Sequence, residues 1–319
     1  MQNELRLTPL STAFINKLKE QGKTLNTLKN YKTDLDCYKM YLETYQKNDL
    51  LERTDLNHIL DYGKFLQNKY SSDNSRRRRV QTLRLFYDYL LLSGHVTENP
   101  VRKIPASPKF VDVPKPIHFG ETIKWWRYLH EQVKLADSGL PRLIAQRNKL
   151  IFSLVFFGGL KVSQLSRLTI DDLILKEDED IRVLVTHDKR DPYTVVLPKY
   201  LYPLIHNYKI DLERGKIASG INFSQALFNA NPYRILSGGL SARGVEVIFE
   251  EIRGYISAEA TPKKLREAAI CRWINLHYPP TTVKEWMGVA PSYSLTRFLN
   301  ISDNFFYSEE AYAEIISES

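Results

Sequence analysis

Apolar residues recur at three- and four-residue steps through the first hundred positions, and that spacing predicts four helices. Phe14, Ile15 and Leu18 form the apolar face of the first, which ends near Gly22. Leu28, Tyr31, Leu35, Tyr38 and Leu42 mark a second over about 24–46. Thr54 or Asp55 is placed to cap a third, carrying Ile59, Leu60, Phe65 and Leu66. Val80, Leu83, Phe86, Tyr87 and Leu90 place the fourth from about Asn74 to Leu92, with Gly94 as its stop. Pro100, Pro105, Pro108, Pro114 and Pro116 follow closely, and prolines at that density break helices and strands alike.

Helical periodicity returns near 119–136 and through Leu143–Phe157, followed by Gly158-Gly159-Leu160 and a helix across Ser163–Leu168. Ile181–Thr186 and Thr194–Leu197 are short β-rich runs around a charged turn, His187–Pro192. Further helices are predicted over Tyr200–Arg214, Ser241–Arg253, Lys263–His277 and Thr282–Gly288. The pattern is mainly α with a small β-sheet. It divides into a helical domain (1–104), a linker (105–117), a mixed α/β domain (118–308) and a tail (309–319).

The chain has 319 residues, enough for two cores, and 43% hydrophobic content argues for folded structure. No apolar run is long enough to span a bilayer and the first residues carry no apolar signal core, so a cytoplasmic location off the membrane is expected. Cys37 and Cys271 lie far apart without metal-ligand spacing, and neither metal nor cofactor is expected. The net charge of +8 is unevenly spread: +7 over 1–110, +5 over 111–308 and −4 in the tail. Basic domains suit a polyanion partner. The competing reading is a merely basic, well-solvated protein.

The last quarter carries the most specific pattern. Thr261-Pro262-Lys263-Lys264-Leu265-Arg266 is followed by Met287-Gly288-Val289 and by Thr296-Arg297-Phe298. Upstream stands Phe157-Gly158-Gly159-Leu160-Lys161-Val162-Ser163-Gln164-Leu165. These segments, with the order of elements, resemble the tyrosine recombinase (phage integrase) family over about residues 10–308. The resemblance implies a two-domain architecture, a helical core-binding domain and a mixed catalytic-like domain, closing as a clamp on duplex DNA.

Carried over residue by residue, the resemblance places Lys161 at a catalytic arginine and Gln164 at a glutamate. Lys189, or Arg190 beside it, falls at the hairpin lysine. Lys263 stands for a first histidine, Arg266 keeps the arginine, Val289 replaces a second histidine and Phe298 the nucleophilic tyrosine. Valine transfers no proton and phenylalanine has no hydroxyl to form a phosphotyrosyl bond. The expectation is therefore a protein that is not an enzyme: a sequence-specific regulator of duplex DNA, such as a prophage repressor. The alternatives are an active recombinase with a shifted nucleophile, at Tyr293 or Tyr307, and an architectural or accessory DNA-binding protein.

Candidate DNA contacts begin with Arg76, Arg77, Arg78 and Arg79. Four like charges at a helix start repel one another and oppose the helix dipole, so phosphate is a natural counter-charge. Arg84, Lys23 and Lys29 are secondary candidates. In the second domain the candidates are Lys161, Lys189, Arg190, Arg234, Arg243, Lys263 and Arg266. Solvated surface charge is the competing reading for each. The tail, with Tyr312, Ile315 and Ile316 among glutamates, could support a homo-oligomer or dock on its own chain. A peptide or protein inducer would be the releasing signal.

Overall fold

The computed structural model describes residues 5–51, 55–105, 113–176, 180–187, 190–230, 236–256, 260–302 and 307–317. The fold is mainly helical with one small antiparallel sheet. The chain separates into two compact units, Met1–Asp112 and Val113–Ser319.

Unit 1 is built from α1 (Leu7–Glu20), α2 (Leu25–Gln46), α3 (Leu56–Lys69) and α4 (Asp73–Leu92). Side-chain oxygens satisfy the exposed amides at three helix starts. Thr24 accepts from Thr27 N–H (3.3 Å), Asp55 from His58 N–H (2.8 Å) and Ser72 from Ser75 N–H (3.4 Å). The core joins Leu35, Tyr38, Tyr41, Leu42, Ile59, Tyr62, Leu66, Leu83, Phe86 and Leu90. One expected core residue is misplaced: Leu60 is 47% exposed, and Tyr62 takes the inward place. At 3.6 residues per turn, Ile59, Tyr62 and Leu66 share a face that Leu60 does not. A 3-10 turn at Pro100–Lys103 buries Val101 against this unit.

Unit 2 begins its core at Ile117, a position the proline pattern assigned to the linker; Ile117 is buried and its N–H donates to Lys264 O. The central helix is α6 (Leu140–Phe156), covered by α5 (Phe119–Leu135), α8 (Tyr202–Ser219) and α10 (Pro262–Asn275). Trp125, Trp126, Phe152, Phe156 and Phe157 pack together at its heart. The sheet runs β1 (Leu173–Leu175), β2 (Ile181–His187), β3 (Arg190–Leu197) in that order, all antiparallel. The β2–β3 pairing continues to His187↔Arg190, so the turn is tighter than the expected 187–192, and only 188–189, outside the described residues, separate the strands. Strand β1 went unread because three residues are too few to show alternation.

Four more helices complete the unit: α7 (Val162–Leu165), α9 (Ala242–Ile256), α11 (Pro280–Trp286) and α12 (Thr296–Ser302). The tail forms α13 (Glu309–Ser317) and docks on its own chain. Tyr312 is fully buried among Phe119, Trp126, Phe156 and Phe157, and Glu309 pairs with buried Arg272 at 3.1 Å. Tyr312 and Ile315 are therefore covered within the chain, one of the two placements expected of the tail, while the side chain of Ile316 lies outside the described residues.

Two positions in unit 2 carry measurable strain or cost. Gly159 ends the α6 region at φ +61, and a Cβ there would lie 2.3 Å from the Trp273 ring. Glycine is required twice over, by backbone conformation and by the approach of the indole. Gly159→Ala should cost about 3 kcal/mol, adding left-handed strain to overpacking, read from urea unfolding of the purified chain.

Lys149 on α6 is only 7% exposed, and its neighbours are neutral: His130 Nδ1 at 2.7 Å and the Trp126 ring at 4.5 Å. Burial pushes its ammonium from 10.5 down to about 8, and Lys134 adds to the effect. Below pH 8 folded and unfolded chains both hold the proton and the burial cost is constant. Above it the folded chain releases the proton first, so stability should climb by roughly 2–3 kcal/mol toward pH 10.5. Urea titrations at successive pH values should show this rise in the wild type and its loss in Lys149→Met.

Candidate nucleic-acid interface

Thr261 caps α10, its hydroxyl accepting from Lys264 N–H at 3.2 Å, and Arg266 follows in the next turn. The Arg266 guanidinium turns inward and binds two carbonyls. Nε donates to Gly159 O at 2.7 Å and Nη2 to Met287 O at 2.9 Å. One side chain thus ties the glycine turn after α6 to the end of α11. Those two bonds use two of the five guanidinium N–H groups; among the described residues the others make no hydrogen bond. Burial lowers the Arg266 pKa, Tyr193, Tyr293 and Glu267 act against that, and Arg297 reinforces it.

Around this centre the sequence missed two contributors. Tyr193, on β3, accepts a hydrogen bond from Gln164 Nε2 at 2.9 Å, while Gln164 Oε1 accepts from Lys161 N–H at 2.7 Å. Gln164 therefore has a structural task, linking the start of α7 to the sheet, beyond marking a replaced glutamate. Gly288 lies against the same hydroxyl at φ +60, where a Cβ would stand 2.8 Å from Tyr193 Oη. Arg297, the second contributor, donates to the Tyr293 hydroxyl, with its guanidinium 5.3 Å from the Tyr293 ring and 5.1 Å from the Phe298 ring. Its place immediately before Phe298 was the available signal.

Phe298 is 3% exposed and belongs to the core, and Val289 packs against that core half-buried. Of the two tyrosines considered as shifted nucleophiles, Tyr293 lies within electrostatic reach of Arg266. Tyr307 lies elsewhere, edge-on to Phe119 and under the Arg272 guanidinium with its hydroxyl on Glu309; burial raises its pKa. Lys161 is half-buried. Lys263 is exposed, with Glu267 at 4.0 Å. Lys189, Arg234 and the side chain of Arg190 lie outside the described residues.

Several expected contacts are engaged within the chain. Arg243, on α9, has its fork filled by Glu250 at 2.9 and 3.0 Å, with Glu246 at 3.2 Å. Arg84 donates to Ile104 O at 2.7 Å and Val101 O at 3.4 Å, holding the 3-10 turn rather than facing outward. Arg79 is 7% exposed, stacked 3.7 Å over the Tyr70 ring and bonded to Ser75 O; it points into unit 1, contrary to its expected outward role. Arg76 bonds Tyr70 O at 2.8 Å and pairs with Asp73. Arg78 stays 44% exposed while bonding Asn30 and Asp34, and Arg77 is half-buried. Lys23 and Lys29 are exposed.

The family described as phage integrase, N-terminal SAM-like domain, matches residues 12–94. The tyrosine recombinase XerD of Listeria innocua is 26% identical over 240 residues, covering 71% of this chain and 75% of that protein. The fold matches a lambda integrase dimer bound to a COC′ core site, with TM-score 0.66 and 15% identity over 96% of this chain and 80% of that one. It also matches the XerH recombinase on palindromic difH in a post-cleavage complex, with TM-score 0.65 and 15% identity over 94% and 82%. These likenesses overturn the expectation of a non-enzyme, and with it those of a repressor and of a catalytically silent site: the proteins matched along most of their length are recombinases, one of them caught after cleavage. By these matches residues 12–94 fit the phage integrase N-terminal SAM-like family, and the chain is similar in sequence to tyrosine recombinases and in fold to integrases over most of its length.

Proposed function

We propose that this chain binds duplex DNA and acts in strand exchange, with Arg266 holding a backbone phosphate and Tyr293 supplying the hydroxyl for the covalent step. The observation that carries this reading is the Arg266 guanidinium, fixed by two carbonyls with N–H groups to spare, beside a tyrosine that accepts a hydrogen bond from Arg297. Fixed cationic donors stabilise charge developing on non-bridging phosphate oxygens at no cost in reorganisation. In the step itself the Tyr293 oxygen bonds to phosphorus as its proton passes to solvent water. The P–O bond to one sugar breaks, and the leaving sugar oxygen takes a proton, for which Lys161 and Lys263 are the nearest candidates on the motif.

Matched structures of lambda integrase hold a dimer on a core site. Assembly of this chain on DNA as an oligomer is part of the same reading, through surfaces other than the covered face of α13. The exposed side of α4, with Arg77 and Arg78, would supply phosphate contacts that position unit 1.

Selection from randomised duplexes at physiological salt, followed by denaturing electrophoresis, tests both halves. A bound motif and a denaturation-resistant adduct are expected. Tyr293→Phe should abolish the adduct while changing affinity by less than about threefold, the scale of one hydrogen bond. Retained binding with no adduct in the wild type would instead favour an accessory DNA-binding role without a covalent step. Arg266→Ala should weaken binding across all sequences and reduce the salt dependence of log K by about one phosphate contact.

A further inference from the structure

Asp34 is a carboxylate on α2 with 2% exposure, and three side chains from α4 converge on it. Arg78 Nη2 donates to Oδ1 at 2.8 Å, Thr82 Oγ1 donates to Oδ2 at 2.8 Å, and Arg79 Nε stands 3.9 Å from Oδ1. Asn30, one turn earlier on α2, accepts from Arg78 Nη1 at 3.1 Å. The two acceptors hold the Arg78 fork by both terminal nitrogens, while the side chain stays 44% exposed. Arg79 is drawn inward and stacked on Tyr70. One buried acid therefore sorts two adjacent arginines, one to the interior and one to the surface.

The geometry points to Asp34 as a positioning residue for DNA binding: it fixes the plane of the Arg78 guanidinium so that its outward N–H groups meet a phosphate ready-oriented. This rests on the reading that unit 1 binds DNA. A long cationic side chain that must be ordered on contact gives up rotamer freedom, and anchoring it beforehand removes that cost. Thr82 takes the remaining Asp34 oxygen, which holds the carboxylate itself in one orientation.

The two accounts of Asp34 predict opposite signs. As a mere neighbouring negative charge it repels DNA, so its neutralisation would tighten binding. As a positioning residue its neutralisation loosens Arg78 and weakens binding although the chain becomes more positive. The test uses the full chain and a mixed-sequence duplex, with affinity measured across a salt series at a temperature where circular dichroism shows every variant folded. Asp34→Asn should bind about tenfold more weakly, the scale of one anchored charge-assisted contact. Arg78→Gln should match it, and the double variant should fall no further than either alone, the non-additivity expected of one shared interaction.

Tighter binding by Asp34→Asn, or losses that simply add in the double variant, would overturn the assignment. If Asp34→Asn does not fold, Asn30→Ala decides. It removes the second acceptor of the fork outside the core and should weaken binding only when Arg78 is present; an unchanged affinity would sink the idea. A wild-type chain that fails to hold the duplex at any salt defeats the DNA-binding reading itself, and that outcome is distinct from the others.

Discussion

The arrangement in unit 2 depends on one buried cation finding neutral acceptors. Arg266 has no carboxylate in its grip; Gly159 O and Met287 O hold it instead. A guanidinium taken from water without acceptors would cost several kcal/mol, so the carbonyls must stand where they do. Gly159 can present its carbonyl only because it takes a left-handed backbone, and Trp273 from α10 closes over the place where a side chain would be. The glycine turn, α10 and the end of α11 are thereby fixed together around one charge. What remains of that guanidinium is aimed and rigid, which is the condition for electrostatic work on a phosphate.

Unit 1 handles its cations differently. Its arginine run is held by acids and a ring: Asp73 takes Arg76, Asp34 takes Arg78 and lies near Arg79, and Tyr70 stacks under Arg79. Arg76, Arg78 and Arg79 thus find local partners before any DNA is present. The repulsion that made the run conspicuous is partly offset inside the fold. The surface offered outward is narrower than the sequence suggests, and better oriented.

The proposed choice of hydroxyl rests on neighbours rather than on spacing. Phe298, which the sequence resemblance set at the nucleophile's place, lies in the core. Tyr307 is drawn under the tail helix with Arg272 and Glu309, far in its contacts from the Arg266 centre. Tyr293 is held by Arg297 and interacts with Arg266. Among nineteen tyrosines, spacing alone gave no reason to prefer it, because a loop sets where its ring points.

The sequence alone determined most helices of both units, though not α12, together with the presence of a small sheet and the motif that carries Arg266. Each of these is written locally, in periodicity, capping residues and turn chemistry, which neighbouring residues impose on one another. Asp34 drew no notice in the sequence, although it stands one residue before Leu35 and four before Tyr38 on α2. Local pattern failed wherever partners came from distant segments. The sequence offered Arg79 and Arg84 as contacts, yet an acid, a ring and carbonyls outside α4 engage them; Arg243 is taken by Glu246 and Glu250 of its own helix. Gln164 and Tyr193, 29 residues apart, meet only because β3 passes the start of α7. Charge is a property of the residue, but whether that charge is spent or offered is decided by what the tertiary structure places within hydrogen-bond distance.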